Sequence, residues 1–117
     1  LHGVQRLWHR NGTLIRSVNY SNGVLHGDVE EHDGSGRPVL KARYELGSLD
    51  GPFKRWRRED TLVRGSYVEG WYTQGKRTGT WTSYYGNGGK ASEGSFRNGR
   101  LIGGWTRWDR EGNKRDP

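Results

Sequence analysis

The sequence predicts an all-β fold, an elongated and twisted antiparallel sheet made of tandem β-hairpin repeats. Three observations carry this. Glycines recur at a fixed spacing, tight-turn dipeptides fall between them, and the intervening segments are short, β-branched and aromatic.

The spacing comes first. Gly3, Gly27 and Gly51 are 24 residues apart, as are Gly79 and Gly103, while the step from Gly51 to Gly79 is 28. Five residues after each of these glycines stands Trp8, His32, Trp56, Tyr84 or Trp108. Two residues after them stand Val29, Phe53, Trp81 and Trp105, with Gln5 in the first unit. Nine residues after them come Gly12, Gly36, Gly88 and Gly112, with Asp60 in the third unit. Tyr20, Tyr44, Tyr72 and Phe96 each precede a glycine pair of constant spacing, 23/27, 47/51, 75/79 and 99/103. Thirteen of the 20 glycines fall in this register.

The turns come next. Asn11-Gly12, Asn22-Gly23, Asn87-Gly88 and Asn98-Gly99 are tight-turn dipeptides, because Asn and Gly tolerate the positive φ that such turns require. Between them, segments such as 14–20 and 40–44 are too short and too glycine-punctuated for helices. The chain therefore reads as two strands per unit. The units are 1–24, 25–48, 49–76, 77–100 and a partial one at 101–117, about four and a half in all. One such unit cannot bury an apolar face alone, and roughly three or more must stack.

The third unit is longer. Trp56 to Tyr72 spans 16 residues, where Trp8 to Tyr20 spans 12. Tyr72-Thr73-Gln74-Gly75 matches Phe96-Arg97-Asn98-Gly99 in its lead to the next glycine. The run from Gly65 to Gly70 matches Gly94 to Gly99 in wording. Either register places an insertion near 65–72, as a longer hairpin or a bulge. Insertions in arrays tend to collect on one face, often the binding face.

Composition sets the limits. Hydrophobic residues make up only 29%, and net charge is +7 from 20 Lys+Arg and 13 Asp+Glu. Twelve per cent aromatics argue against disorder. Few large side chains on many glycines imply a thin structure. The absence of Cys excludes disulfides and thiolate metal sites. No apolar run approaches the roughly 18 residues of a membrane-crossing helix. The sequence opens on Leu1 and contains no Met, so the native start is expected to have been removed, which leaves a leader open.

Candidate chemistry is sparse. His26, Asp28, Glu30 and His32 alternate and would share one face of an unbroken strand, a geometry open to zinc. His26, however, stands at the turn position held by His2, Asp50, Thr78 and Ile102, and His32 at an aromatic position. The expectation is therefore no metal and no cofactor. Gly34-Ser35-Gly36 and Gly86-Asn87-Gly88-Gly89 read as turns, since no helix follows to hold a phosphate. No serine has the setting of a nucleophile, and the chain is expected not to be an enzyme.

Charge and aromatics point to binding. Asp28, Glu30, Glu31 and Asp33 cluster in the second unit; Lys54, Arg55, Arg57 and Arg58 cluster at equivalent places in the third. Shifted by 24, Glu30 faces Lys54, Glu31 faces Arg55 and Asp33 faces Arg57, about 10 Å apart across two strand spacings. The aromatics two and five residues after each glycine point to opposite faces. One row packs as a spine and the other forms a surface stripe, unless a bulge turns it inward. Trp71 and Tyr72 are expected to be exposed. Arg55, Arg57, Arg58, Tyr67, Trp71, Tyr72, Trp81 and Trp105 are the residues expected to meet a partner, as Tyr, Trp and Arg dominate interface hot spots.

The stretches Gly51-Pro52-Phe53-Lys54-Arg55-Trp56 and Gly79-Thr80-Trp81-Thr82-Ser83-Tyr84-Tyr85-Gly86-Asn87-Gly88 resemble the variant MORN repeat, whose pattern runs G-x-W-x-x-Y-x-x-N-G-x and then Y-x-x-G-x-x-x-G. Leu25-His26-Gly27 is similar to the His-Gly turn of the wider MORN group. The chain departs from the pattern at Gln5, His32, Asp60 and the insertion. The resemblance implies an elongated twisted sheet of hairpins. It also implies a non-catalytic binding role, most concretely that of a YwqK-type bacterial antitoxin or immunity protein that occludes a toxin or effector with an acidic patch. The alternative it implies is a scaffold or binder of anionic phospholipid at a membrane surface. Nucleic acid is disfavoured, because no recognition motif accompanies the basic residues. Open sheet edges leave a homodimer through an edge strand open. A bacterial cytoplasmic location is favoured, with the periplasm open if a leader was removed.

Overall fold

The computed structural model describes residues 3–57 and 66–115. Twelve strands form one antiparallel sheet: β1 Gly3–Trp8, β2 Leu14–Ser21, β3 Val24–Leu25, β4 Gly27–His32, β5 Pro38–Glu45, β6 Ser48–Leu49, β7 Gly51–Trp56, β8 Tyr67–Thr73, β9 Lys76–Tyr84, β10 Lys90–Arg97, β11 Arg100–Trp108 and β12 Lys114–Arg115. The order is β1-β2-β4-β5-β7-β8-β9-β10-β11-β12, with β3 on β2 and β6 on β5. Apart from the two-residue strands β3 and β6, each strand thus pairs with its neighbours in sequence, as in a chain of hairpins. The molecule measures 49 × 37 × 14 Å, with a radius of gyration of 16.3 Å. A compact chain of this length would have about 13 Å. Its accessible surface, 8375 Å², likewise exceeds the roughly 6500 Å² of a compact monomer of this mass.

The thirteen glycines that keep the repeat register are the same thirteen that adopt positive φ among the described residues. They do three jobs. Gly23, Gly47, Gly75 and Gly99 close two-residue turns together with Asn22, Leu46, Gln74 and Asn98, which also have positive φ, as type I′ hairpins require. Gly12, Gly36, Gly88 and Gly112 close a longer turn. In that turn the glycine N–H donates to His9, Asp33, Tyr85 or Asp109 carbonyl oxygens at 2.9–3.1 Å. Asn11 and Asn87 therefore differ from Asn22 and Asn98: they do not adopt positive φ. Their Oδ1 atoms accept the backbone N–H of Thr13 and Gly89 at 2.9 Å instead. Asp33 and Asp109 serve the other two long turns, each accepting two backbone N–H groups, from Ser35 and Arg37 and from Glu111 and Asn113. Leu46 is the one aliphatic side chain in this positive-φ set, 74% exposed at a turn tip, where it carries a steric cost of about 1–2 kcal/mol.

The third set, Gly27, Gly51, Gly79 and Gly103, lies where the pairing between units slips. Tyr20 pairs with Leu25 and the His26 N–H donates to the Asn19 carbonyl at 2.9 Å, while Ser17 pairs with Glu30, so the later strand carries two extra residues in the stretch that begins at Gly27. The same slip recurs between β8 and β9 and between β10 and β11. Within each hairpin the glycine sits opposite the aromatic of the returning strand: Gly3 opposite Tyr20, Gly27 opposite Tyr44, Gly51 opposite Tyr72 and Gly79 opposite Phe96. This pairing decides the register of the third unit in favour of Tyr72. β8 runs from Tyr67 to Thr73 in unbroken register with β7, so the extra length is not at 67–72. It falls between Arg57, whose N–H donates to the Ser66 carbonyl at 2.7 Å, and Ser66 itself. Asp60 lies outside the described residues.

Burial without a second layer comes from rings laid over small residues. A Cβ on Gly70 would fall 2.1 Å from Trp81 Cδ2, and one on Gly94 would fall 2.9 Å from Trp105 Cε3. Each tryptophan therefore covers the backbone of the preceding unit. Trp81 is only 2% exposed, and Phe53, Tyr72, Phe96 and Trp105 join it through ring contacts of 5.1–6.4 Å. Val29, Val18 and Ala42 continue the row toward β1. Both margins of the array are tied from unit to unit. Gly47, Gly75 and Gly99 donate N–H to Leu25, Leu49 and Arg77 carbonyls, and Asn11 and Asn87 donate side-chain N–H to Gly34 and Arg110 carbonyls.

Two outcomes follow from this packing and these turns. Gly70→Ala should destabilise the protein by about 1–3 kcal/mol, because the ring above it must move. Trp81→Ala should cost about 3–5 kcal/mol. Urea denaturation followed by circular dichroism measures both. The second outcome concerns acid. Around Asp33, burial favours the neutral acid, but the N–H donors of Arg37 and Ser35 outweigh it and hold the carboxyl below its ordinary value. Backbone donation from Asn113 does the same for Asp109. Lowered carboxylates contribute stability above their unfolded pKa and lose it as pH falls through the folded one. The melting temperature should therefore drop through and below the ordinary carboxylate range, and Asp33→Ala with Asp109→Ala should flatten that acid limb.

Candidate binding face

Alternation along each strand sorts side chains onto two faces. The first is the spine face described above. On the second, Ser17, Glu30, Lys41, Lys54, Glu69, Thr82, Glu93 and Thr106 are successive cross-strand partners from β2 to β11. The sheet thus has one packed face and one polar face, and the two aromatic offsets do point to opposite sides.

The polar face has its own order. Trp56, Tyr67 and Tyr84 stand in a row along one margin, with Tyr67 and Tyr84 stacked at 4.5 Å. The Lys54 ammonium lies 5.0 Å from the Trp56 ring centre and 4.5 Å from that of Tyr67, a cation–π placement. Tyr84 donates its O–H to Glu69 Oε1 at 3.0 Å; burial first, then this bond, pushes the phenol above its ordinary value. Glu93 accepts from Lys90 Nζ at 2.9 Å and Thr82 Oγ1 at 3.0 Å, which lowers its carboxyl, Lys90 having the larger effect. These pairs order the side chains of the polar face.

In the middle of this face lies a shallow hollow of about 640 Å³. Its floor and walls include Asp28, Glu30, Lys41, Arg43, Pro52, Lys54, Glu69, Trp71, Thr80 and Thr82. Trp71 is 50% exposed and sits opposite Pro52. A broader hollow of about 1140 Å³ lies by the long-turn margin and takes in Arg55, Arg57, Val68, Tyr72, Ser83, Tyr85 and Arg110. Its rim passes Arg57 and Ser66.

The residues expected to meet a partner are not brought together. Trp71 and Tyr67 belong to the polar face. Arg55 belongs to the spine face, opposite Leu40 and Val68. Tyr72, expected to be exposed beside Trp71, instead packs against Phe53 and Trp81. Trp81 is buried and donates its indole N–H to the Trp71 carbonyl at 3.2 Å, and Trp105 is half-buried in the same spine. These three are structural because they stand over, or opposite, the small residues of the neighbouring strand. Arg58 lies outside the described residues. Lys41 and Arg43 were not among the expected residues, although their alternation with Ala42 places them on the polar face.

The charge pairing also differs from the expected one. The neighbour of a first strand is the returning strand of the same or the preceding unit, so Glu30 meets Lys41 and Glu31 meets Arg16, whose Nε lies 3.7 Å from its carboxylate. Asp33 pairs with Arg37 in its own turn rather than with Arg57. Among the described residues, no three His, Asp or Glu side chains gather as a metal-holding group. His26 stands before the bulge that begins at Gly27 and is separated by it from Asp28, Glu30 and His32; its Nδ1 accepts from the Leu46 N–H at 3.4 Å.

A comparison with curated proteins found no match. A family model, the MORN repeat variant, matches residues 1–22 and 77–98. Those stretches are the first hairpin, β1 and β2, and the hairpin of β9 and β10. Such repeats generally serve as modules for binding. Together with the open hairpin sheet, these matches show that two of the chain's hairpins are similar to the MORN repeat variant.

Proposed function

We propose that the array acts by binding a protein rather than by catalysis, and that its role is that of a bacterial antitoxin or immunity protein covering a partner toxin. The observation that carries the reading is the division between faces. The spine face spends its aromatics on internal packing, while the polar face holds an exposed tryptophan amid charges of both signs. A half-exposed tryptophan ringed by polar groups is the usual anchor of a protein interface. A broad sheet face suits steric occlusion, and a net charge of +7 speeds capture of an acidic surface.

Co-expression with the product of the adjacent gene tests the reading. Copurification, with rescue of growth where that product is toxic, is the expected result. Trp71→Ala should weaken the complex by about 30-fold or more, the scale of a hot-spot residue, while leaving the melting temperature unchanged. No rescue and no copurification would end the antitoxin reading. Cosedimentation with anionic lipid vesicles in place of copurification would favour the membrane-surface alternative.

A further inference from the structure

We propose that Lys41, Arg43 and Lys54, with Trp71 beside them, form a docking site for an acidic, partly apolar segment of a protein partner; this deepens the binding reading above and rests on it. Lys41 and Lys54 are direct cross-strand partners on β5 and β7. Like charges placed directly opposite each other destabilise a sheet. Neither lysine belongs to an ion pair among the described residues, where the pairs are Arg16–Glu31, Arg37–Asp33 and Lys90–Glu93. Glu30 and Glu69 flank the two lysines on the neighbouring strands but form no ion pair with them, so a carboxylate placed between Lys41 and Lys54 would relieve their repulsion.

Two of the three bases are held in place, and Lys41 is exposed beside them. The Lys54 ammonium is pinned over two rings, as described. The aliphatic stem of Arg43 rests against Gly51, where a Cβ would come within 3.1 Å of Arg43 Cδ. Lys41 and Arg43 share one face two residues apart on β5, so with Lys54 they outline a triangle. Trp71 and Pro52 provide an apolar shoulder beside it. Glu69 is already occupied by the Tyr84 hydroxyl.

The surrounding acids define the ligand class. Asp28 and Glu30 line the same hollow on one side and Glu69 on the other. A uniformly negative lipid surface or nucleic-acid strand would meet these carboxylates together with the bases. A protein segment can place one or two carboxylates between them and an apolar residue on Trp71.

The test uses the full chain labelled with ¹⁵N and an acetylated eight-residue peptide of alternating glutamate and leucine, titrated at low salt. The Trp71 indole and the Lys41 and Lys54 amide signals should shift together. Lys41→Gln with Lys54→Gln should weaken binding about tenfold, and Asp28→Asn with Glu30→Gln should strengthen it about threefold, the opposite sign that a local acidic frame requires. Peptide binding unchanged by both double variants would overturn the proposal. So would phosphatidylserine vesicles that bind more tightly than the peptide and lose that binding in the lysine variant. If the adjacent gene product copurifies regardless of Lys41 and Lys54, the docking site fails and the binding reading stands. If the peptide binds as described but no toxin is neutralised, the docking site stands and the antitoxin reading fails.

Discussion

A tryptophan ring resting on the bare backbone of a glycine in the next strand is the contact on which this structure depends. A one-layer sheet has no second layer to pack against, so a large side chain on it would ordinarily stay half-wet. Trp81 escapes this because Gly70 offers no Cβ, and the ring descends onto the strand itself. Gly94 does the same for Trp105. Toward β1 the row is filled differently. Val29 stands in the position of Trp81, and Val18 and Ala42 in those of the small partners. The burial that stabilises each unit is thus shared with the unit before it, which is why the hairpins need one another.

Much of this was legible in the sequence because backbone demands are local. Each of the thirteen aligned glycines occupies a positive-φ position, since only there does glycine have a large advantage over other residues. The hairpin topology and the opposition of the two aromatic rows followed from the same spacing. The packing was less legible. Trp81 and Trp71 are equally aromatic, and only the glycine opposite one of them marks it as spine. Tyr72 misled for the same reason. Gly65–Gly70 repeats the wording of Gly94–Gly99, but in the ladder Tyr72 rather than Tyr67 stands opposite Gly51. Charge partners shifted because a whole-unit offset skips a strand, and the skipped strand carries Lys41.

The two faces are constrained in different ways. On the spine face, substitution is constrained by ring-to-backbone distance. On the polar face, Lys54, Glu69, Tyr84, Thr82 and Glu93 are linked by hydrogen bonds and cation–π contacts that orient the surface without burying it. Lys41, Arg43 and Trp71 stand among these ordered groups. On the proposed reading, a surface ordered in this way would require little further ordering on contact with a partner.

The ring-over-glycine contact is most directly measured by the proton chemical shifts of Gly70. A ring stacked on the backbone shields the protons beneath it. The account predicts Gly70 Hα resonances well upfield of the ordinary glycine range, with nuclear Overhauser contacts to the Trp81 indole. Ordinary Gly70 shifts and no contact to Trp81 would contradict it.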